Sequence, residues 1–205
     1  AEAGVTCAKL AKRCAERGYE SGVFFAGIPG TVGGALAMNA GAFGGETWPH
    51  VVAVDVLTRR GEVKRLDPKA FNVNYRSVEG LKDLCFLAGY FQFPFGDVVS
   101  AQRDIRALLS KRKSSQPIGQ LSCGSVFRNP PGHFAAALIE SAGLKGHAIG
   151  RAQVSEKHAN FIINCGGALA SDIEALIAYV QKTVFDYHGI DLSLEVHILG
   201  RVSQD

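Results

Sequence analysis

Residues 25–46 read FAGIPGTVGGALAMNAGAFGGE. From Gly22 to Gly45 no charged residue occurs, and eight of those positions are glycine. A run this apolar invites a membrane-spanning reading, but Pro29 and eight glycines would break a helix that must satisfy its own backbone in lipid. The stretch is therefore not a span. Glycine lets another molecule come close to the main chain, and consecutive N–H groups can then turn toward one anionic group, which describes a phosphate cradle. A tightly packed glycine turn with no ligand is the alternative. Asn39 and Gly41 in the same block add a side-chain amide and a second turn, which moves the reading toward a ligand. The pattern is not G-x-G-x-x-G and no G-K-[ST] follows, so the dinucleotide fingerprint and the NTPase P-loop both fail.

Outward from this block, 205 residues with 47% hydrophobic content give room for one large domain or two small ones around a real core. A balance of 22 basic and 19 acidic residues leaves a net charge of +3, too small to point to nucleic acid as a partner. The cysteines at 7, 14, 85, 123 and 165 form neither a C-x-x-C pair nor an even framework. They read as reduced thiols in a cytoplasmic protein, and no basic-then-apolar leader suggests secretion. The six histidines lack an H-E-x-x-H or C-x-x-C companion, so metal chemistry is not expected. Trp48, the lone tryptophan, is assigned to packing.

Hydrophobic spacing predicts a helix over 6–17, capped by Thr6 and stopped by Gly18. Strands are predicted at 51–58 and 63–66, with a turn at Arg59-Arg60-Gly61, and within 84–93, ended by Pro94 and Gly96. A helix over 97–113 points Ala101, Ile105, Leu108 and Leu109 inward and ends in the cations Lys111, Arg112 and Lys113. The linker-like 114–119 places a domain boundary between 96 and 120. Beyond it come a short helix over 134–142, a strand over 160–164, and the best helix of the chain, over 171–188. That helix carries a Ser171/Glu174 capping box, an apolar face of Ile173, Leu176, Ile177, Val180, Val184 and Tyr187, and Gly189 as its stop. Alternation over 192–199 predicts a final strand.

Three residues carry candidate chemistry. Ser125 lies in Cys123-Gly124-Ser125-Val126-Phe127, ahead of Pro130-Pro131, where a serine ordinarily stabilises a turn. It has no G-x-S-x-G elbow, so proton donation suits it better than nucleophilic attack. Arg76 stands in a polar segment where a solvated arginine is the default. Glu195, by alternation, points away from the apolar face of its strand.

The block GIPGTVGGALAMNAGAFGGE resembles the flavin-binding block of the UDP-N-acetylenolpyruvoylglucosamine reductase family. NYRSV at 74–78, SCGSVFRNP at 122–130 and AGLKGHAIGRAQVSEKHANFIIN at 142–164 match the same family in the same order. The resemblance implies an α+β fold: the second lobe of a PCMH/VAO-type FAD-binding domain over 1–100, a smaller α+β substrate-binding domain over 101–190, and a C-terminal strand over 191–205 returning to the active site. It implies FAD as cofactor, held by Ile28, Pro29, Gly30, Thr31, Gly33, Gly34, Asn39 and Gly41, and NADPH as co-substrate. The implied substrate is UDP-N-acetylglucosamine enolpyruvate, bound by Tyr75, Asn129, Glu156 and Lys113, with no nucleic acid, no membrane span and a monomer as the expectation.

In that picture Arg76 neutralises the enolpyruvyl carboxylate, Ser125 protonates the carbon beside it, and Glu195 is a catalytic carboxylate whose pKa would be raised by the like charge of the substrate carboxylate. The family's basic residue before the Q-P pair is Ser115 here, so the cation that meets the diphosphate is left open. The family also carries a small first flavin lobe ahead of the point where this sequence opens with AEAGV. A flavin-free fragment that binds the UDP-sugar without turning it over, and a different flavin dehydrogenase on the same scaffold, are the alternatives.

Overall fold

The computed structural model describes residues 1–200. It divides into two units, Ala1–Arg112 and Lys113–Asp205.

In the first unit, α1 (Cys7–Glu16) begins where the Thr6 hydroxyl accepts a hydrogen bond from the Lys9 N–H at 3.3 Å, and it buries Cys7, Ala11, Cys14 and Ala15. Short 3-10 turns over Glu20–Gly27 follow, with Phe24 and Phe25 stacked 4.3 Å apart. The glycine block then forms a helix that its composition argues against, α2 (Val32–Met38). It exists because Thr31 caps it, Val32, Ala35 and Leu36 are buried beneath it, and Asn39 ends it in the left-handed conformation at φ +42°. Burial of one face outweighs the low propensity of Gly33 and Gly34.

Two short strands, β1 (Gly41–Ala42) and β2 (Gly45–Glu46), make a tight ribbon. Next come β3 (Val51–Thr58), β4 (Val63–Leu66), the hairpin β5 (Asn72–Asn74) and β6 (Ser77–Glu79), and β7 (Leu84–Phe91). β3 lies between β4 and β7 in an antiparallel sheet. Trp48, Val54, Val56 and Phe71 pack under it, and Trp48 donates its indole N–H to the Leu36 carbonyl at 2.7 Å. Trp48 is therefore a core residue. α3 (Val98–Ser115) is capped by Asp97, whose carboxylate accepts from the Ser100 N–H at 2.7 Å. Ala101 is fully buried, yet Leu109, expected inward, is 45% exposed. At 100° per residue Leu109 stands about 80° around the helix from Ala101 while Leu108 stands about 20° away, and the buried stripe is too narrow to reach both.

Burial sorts the thiols. Cys7 and Cys14 are buried, and loss of solvent pushes both up to about 11. Cys85, Cys123 and Cys165 are exposed. Ellman's reagent at pH 8 is expected to label exposed cysteines quickly and to reach Cys7 and Cys14 only after denaturant is added; fast labelling of either buried thiol in the folded protein contradicts this.

The second unit runs through β8 (Ser122–Ser125), α4 (Ala135–Ser141), β9 (Ala148–Ile149), β10 (Ala152–Val154), β11 (Phe161–Asn164) and α5 (Ala170–His188). The four strands form one antiparallel sheet in the order β8-β11-β10-β9. Leu138 and Ile139 of α4 and Leu176, Ile177, Val180 and Val184 of α5 join Val154 and Ile162 of the sheet in one core.

Two details of α5 differ from expectation. Its cap is Leu169, in extended conformation, and the reciprocal bond comes from Asp172, whose carboxylate accepts from the Leu169 N–H at 3.1 Å, so Ser171 and Glu174 do not form the box. Tyr187 keeps the helical period but is 68% exposed, because it sits in the last turn, past the end of the core. The predicted strand over 192–199 is absent. Only Leu194 makes a bridge, to Phe127, and the alternation instead serves packing: Leu192 is buried, and Leu194 and Val196 lie against the core. Ile198 and Leu199 are exposed. Among the described residues no helix is long and apolar enough to cross a membrane.

Candidate functional site

In the first unit, the glycine ribbon and the β5–β6 hairpin build one polar junction. Asn39 is 2% exposed. Its amide donates to the Glu46 carboxylate at 3.0 Å and to the Asn74 carbonyl at 3.1 Å, and accepts from the Trp48 N–H at 3.1 Å. One side chain thus ties the end of α2 to the ribbon, the hairpin and the sheet core. Arg76 occupies the hairpin turn at φ +53°, an unusual conformation for a residue with a Cβ. Its guanidinium donates to the Gly41 carbonyl at 2.6 Å and to the Asn39 carbonyl at 3.3 Å. Arg76 is therefore seated on the ribbon, not solvated as its polar neighbourhood in sequence suggested, and it lies 5.2 Å from the ring centre of Tyr75, which is 46% exposed.

The ribbon's glycines fall into two groups. A Cβ on Gly41 would come within 2.4 Å of the Gly45 carbonyl oxygen and 3.0 Å of the Arg76 guanidinium; one on Gly27 would come within 2.5 Å of Ala42. These are closely packed turns. Gly30 and Gly34 are exposed, have no positive φ, and a Cβ would meet nothing within 4 Å at Gly30 and only the Thr31 hydroxyl, at 3.8 Å, at Gly34. Neither packing nor backbone conformation demands glycine at these two positions. They leave bare main chain beside exposed Pro29 and Thr31, a surface on which a flat ring or a phosphate can lie.

The N–H groups behave otherwise than a cradle requires. Val32 donates to Val5, Gly33 to Ala3, Gly34 to the Thr31 hydroxyl and Ala35 to the Thr31 carbonyl. These four donors are satisfied within the chain and do not converge on a common point as an anion cradle would require. Ile28 is buried just below, and Gly33 lies under Ala3, whose Cβ would stand 3.0 Å from a Cβ at 33.

In the second unit, Ser125 ends β8 opposite Phe161, half-buried. Glu195 is half-buried, and its N–H donates to the Val126 carbonyl at 2.8 Å. The Arg128 N–H donates to the Ser193 carbonyl at 2.9 Å. Two of the three predicted catalytic residues, 70 positions apart in the chain, are thus joined through one residue of backbone. Asn129 uses its side-chain oxygen on the first N–H of α4, at Ala135, 3.0 Å away. Glu156 is exposed and lies against Gly146, and Lys113 is exposed at the end of α3. Ser155 caps its own loop by accepting from the N–H groups of Lys157 and His158. Burial holds His158 below the usual imidazole range, and its Nδ1 accepts from the Asn160 N–H. A cavity of about 290 Å³ opens beside this loop, with Ile118, Gln153, Glu156, Lys157 and Cys165 in its wall.

Two residues were not singled out by sequence reasoning. Arg128 buries its Nε with no hydrogen-bond acceptor among the described residues. Asn160, 4% exposed, donates to and accepts from the main chain of Phe127. The available signal was a polar residue heading the apolar run of β11. Among the described residues no group of three or more His, Cys, Asp or Glu is arranged to hold a metal ion.

Comparison with known proteins bears on both units. Residues 1–67 match the FAD binding domain family, and residues 116–199 match the family described as UDP-N-acetylenolpyruvoylglucosamine reductase, C-terminal domain. A UDP-N-acetylenolpyruvoylglucosamine reductase of Coxiella burnetii (strain RSA 331 / Henzerling II) is 65% identical over 201 residues, which cover 98% of this chain and 64% of that protein. The chain therefore spans just under two thirds of that relative's length. The reductase of Alkalilimnicola ehrlichii is 56% identical over 98% of this chain and 67% of its own length. In structure, the UDP-N-acetylenolpyruvylglucosamine reductase (MurB) from Thermus caldophilus superposes with a TM-score of 0.83 at 32% identity, over 95% of this chain and 70% of that one. Likeness of this extent, in sequence and in the course of the backbone, makes the chain a member of the UDP-N-acetylenolpyruvoylglucosamine reductase family.

Proposed function

We propose that this chain carries the substrate-reducing part of a UDP-N-acetylenolpyruvoylglucosamine reductase: FAD-dependent, NADPH-using conversion of UDP-N-acetylglucosamine enolpyruvate to UDP-N-acetylmuramate for peptidoglycan precursors, in the cytoplasm. The observation that supports this reading is the main-chain bond from the Glu195 N–H to the Val126 carbonyl, which ties two of the predicted catalytic residues, 70 positions apart, to one segment in a chain of this family. The residues fit a flavin as well. Gly30 and Gly34 leave open main chain that any larger side chain would fill, beside Ile28, Pro29 and Thr31, while Gly33, Asn39 and Gly41 shape the same ribbon from within. When bound there, FAD would supply the hydride it has taken from NADPH.

The chain's own residues account for the rest. As hydride reaches the vinyl CH₂ carbon, negative charge gathers on the neighbouring carbon and its carboxylate. Arg76, permanently charged, opposes that charge. Ser125 gives its hydroxyl proton to the carbon that bears the ether oxygen and the carboxylate, completing the lactyl ether. Glu195 supports the charge-bearing carboxylate by a hydrogen bond when protonated. Tyr75, Asn129, Glu156 and Lys113 contact the UDP-sugar, and Arg128, with its buried Nε, takes one of the substrate's anionic groups.

The test is spectroscopic and direct. Purified protein incubated with FAD is expected to retain yellow flavin absorbance after gel filtration and then to oxidise NADPH in proportion to added enolpyruvyl sugar. Because the chain spans 64% of the Coxiella relative, a second reading is kept: a colourless protein that still binds the UDP-sugar would make it a binding module without turnover. A protein that binds neither overturns both.

A further inference from the structure

β8 and β11 pair at Ser125 and Phe161, and β8 ends there. Past that point the chain over Val126 and Phe127 has no neighbouring strand of regular ladder on the β11 side, yet both residues are almost fully buried. Their polar groups must be satisfied some other way. Asn160, directly ahead of β11, does it. Its carbonyl accepts from the Val126 N–H at 2.9 Å, its Oδ1 accepts from the Phe127 N–H at 2.9 Å, and its Nδ2 donates to the Phe127 carbonyl at 2.8 Å. A primary amide on a short stem can offer a donor and an acceptor to one residue as a strand would, whereas a carboxylate of the same size offers acceptors alone. On the opposite side of the same dipeptide, the Val126 carbonyl receives the Glu195 N–H and Phe127 makes the bridge to Leu194. Asn160 therefore grips the two residues that separate Ser125 from the tail carrying Glu195.

We propose that Asn160 is a positioning residue for the reduction: by clamping Val126 and Phe127 it fixes the separation of the Ser125 hydroxyl and the Glu195 carboxylate, and so the proton delivery that follows hydride addition. This rests on the reductase reading above. It assigns to Asn160 no contact with substrate or flavin. Loss of the clamp slows the step in which the enolpyruvyl sugar is reduced and leaves reduction of the flavin by NADPH untouched.

The experiment uses the full chain, wild type and two variants, with three readouts: the two half-reactions followed separately by stopped flow without oxygen, amide hydrogen exchange, and thermal melting. In Asn160→Ala the substrate half-reaction is expected to fall on the order of 100-fold, as for a small misplacement of a catalytic group, with flavin reduction at the wild-type rate. The amides of Phe127 and Glu195 exchange faster while those of α5 keep their protection. In Asn160→Asp the carboxylate faces the Phe127 carbonyl and repels it, but protonation restores a donor. The substrate half-reaction of this variant alone therefore recovers as pH falls. Equal losses in both half-reactions that follow the melting temperature, or unchanged exchange at Phe127 and Glu195, overturn the proposal. If wild-type protein does not turn over the enolpyruvyl sugar, the reductase reading is what fails, and the exchange arm still decides whether Asn160 holds the segment that joins Ser125 to Glu195.

Discussion

Replacement of Ser125 by alanine is expected to abolish turnover of the enolpyruvyl sugar, by roughly 10²–10⁴-fold, the span over which a positioned proton donor accelerates reactions. The loss is confined to one half of the cycle. NADPH must still bleach the flavin at the wild-type rate, because hydride transfer into the flavin needs no proton from Ser125. Stability should move little: Ser125 is half-buried, and no hydrogen bond of its hydroxyl contributes to the β8–β11 pairing, which runs through the main chain. Stopped-flow absorbance at the flavin band separates the two halves, and Ser125→Cys, which keeps a transferable proton, should retain more activity than alanine. Should both half-reactions survive in Ser125→Ala, the proton comes from elsewhere and the assignment falls. Should both collapse with the melting temperature unchanged, Ser125 would matter to the flavin itself, which favours a different flavin dehydrogenase on this scaffold.

The expectations that the structure bears out are those set by local periodicity. α1, β3 and α5 lie where the spacing of apolar residues put them, because each buries one face against a core that the chain supplies nearby, while β4, exposed except for a half-buried Leu66, is held by its antiparallel pairing with β3. The α+β class agrees with the same signals, since every strand pairing among the described residues is antiparallel and none of them is the parallel pair of a β-α-β unit. What was not legible depends on partners distant in sequence. Residues 192–199 alternate as a strand should, yet a strand needs an edge to pair with, and only Phe127 offers one, so the alternation ends as packing. α2 hides behind Gly33 and Gly34, and its existence is decided by Thr31 at one end and Asn39 at the other.

The candidate site shows the same division. Sequence alone could rank Ser125 only as a turn serine and Glu195 only as exposed, since nothing in either neighbourhood announces that Glu195 hangs from Val126. Arg76 looked solvated for a like reason: its acceptors, the carbonyls of Asn39 and Gly41, belong to a segment some 35 residues earlier. Asn39, expected as a cofactor contact, spends its amide on Glu46, Asn74 and Trp48, which makes it the residue that shapes the ribbon on which Arg76 rests.

That ribbon supplies the second large effect. In Gly41→Ala the new methyl group would stand 2.4 Å from the Gly45 carbonyl oxygen and 3.0 Å from the Arg76 guanidinium, the first a separation that real Cβ contacts do not reach. The ribbon must open. Forced overpacking of this kind costs about 1–3 kcal/mol, and in a protein of this size each kcal/mol lowers the melting temperature by roughly 2–4 °C. Opening also moves the Gly41 carbonyl, which holds Arg76 at 2.6 Å, so flavin retention and substrate turnover should fall together with stability. Gly30→Ala is the companion. Its methyl group meets nothing within 4 Å and its φ is ordinary, so the melting temperature should hold or rise slightly through the smaller entropy of the unfolded chain. If Gly30 is glycine because the flavin lies against it, this variant must lose flavin affinity while staying fully folded. Calorimetry beside flavin titration separates the cases: a Gly30→Ala protein that binds FAD as tightly as wild type means that the open glycines do not face the flavin, and a Gly41→Ala protein that melts as wild type shows that the ribbon yields without strain.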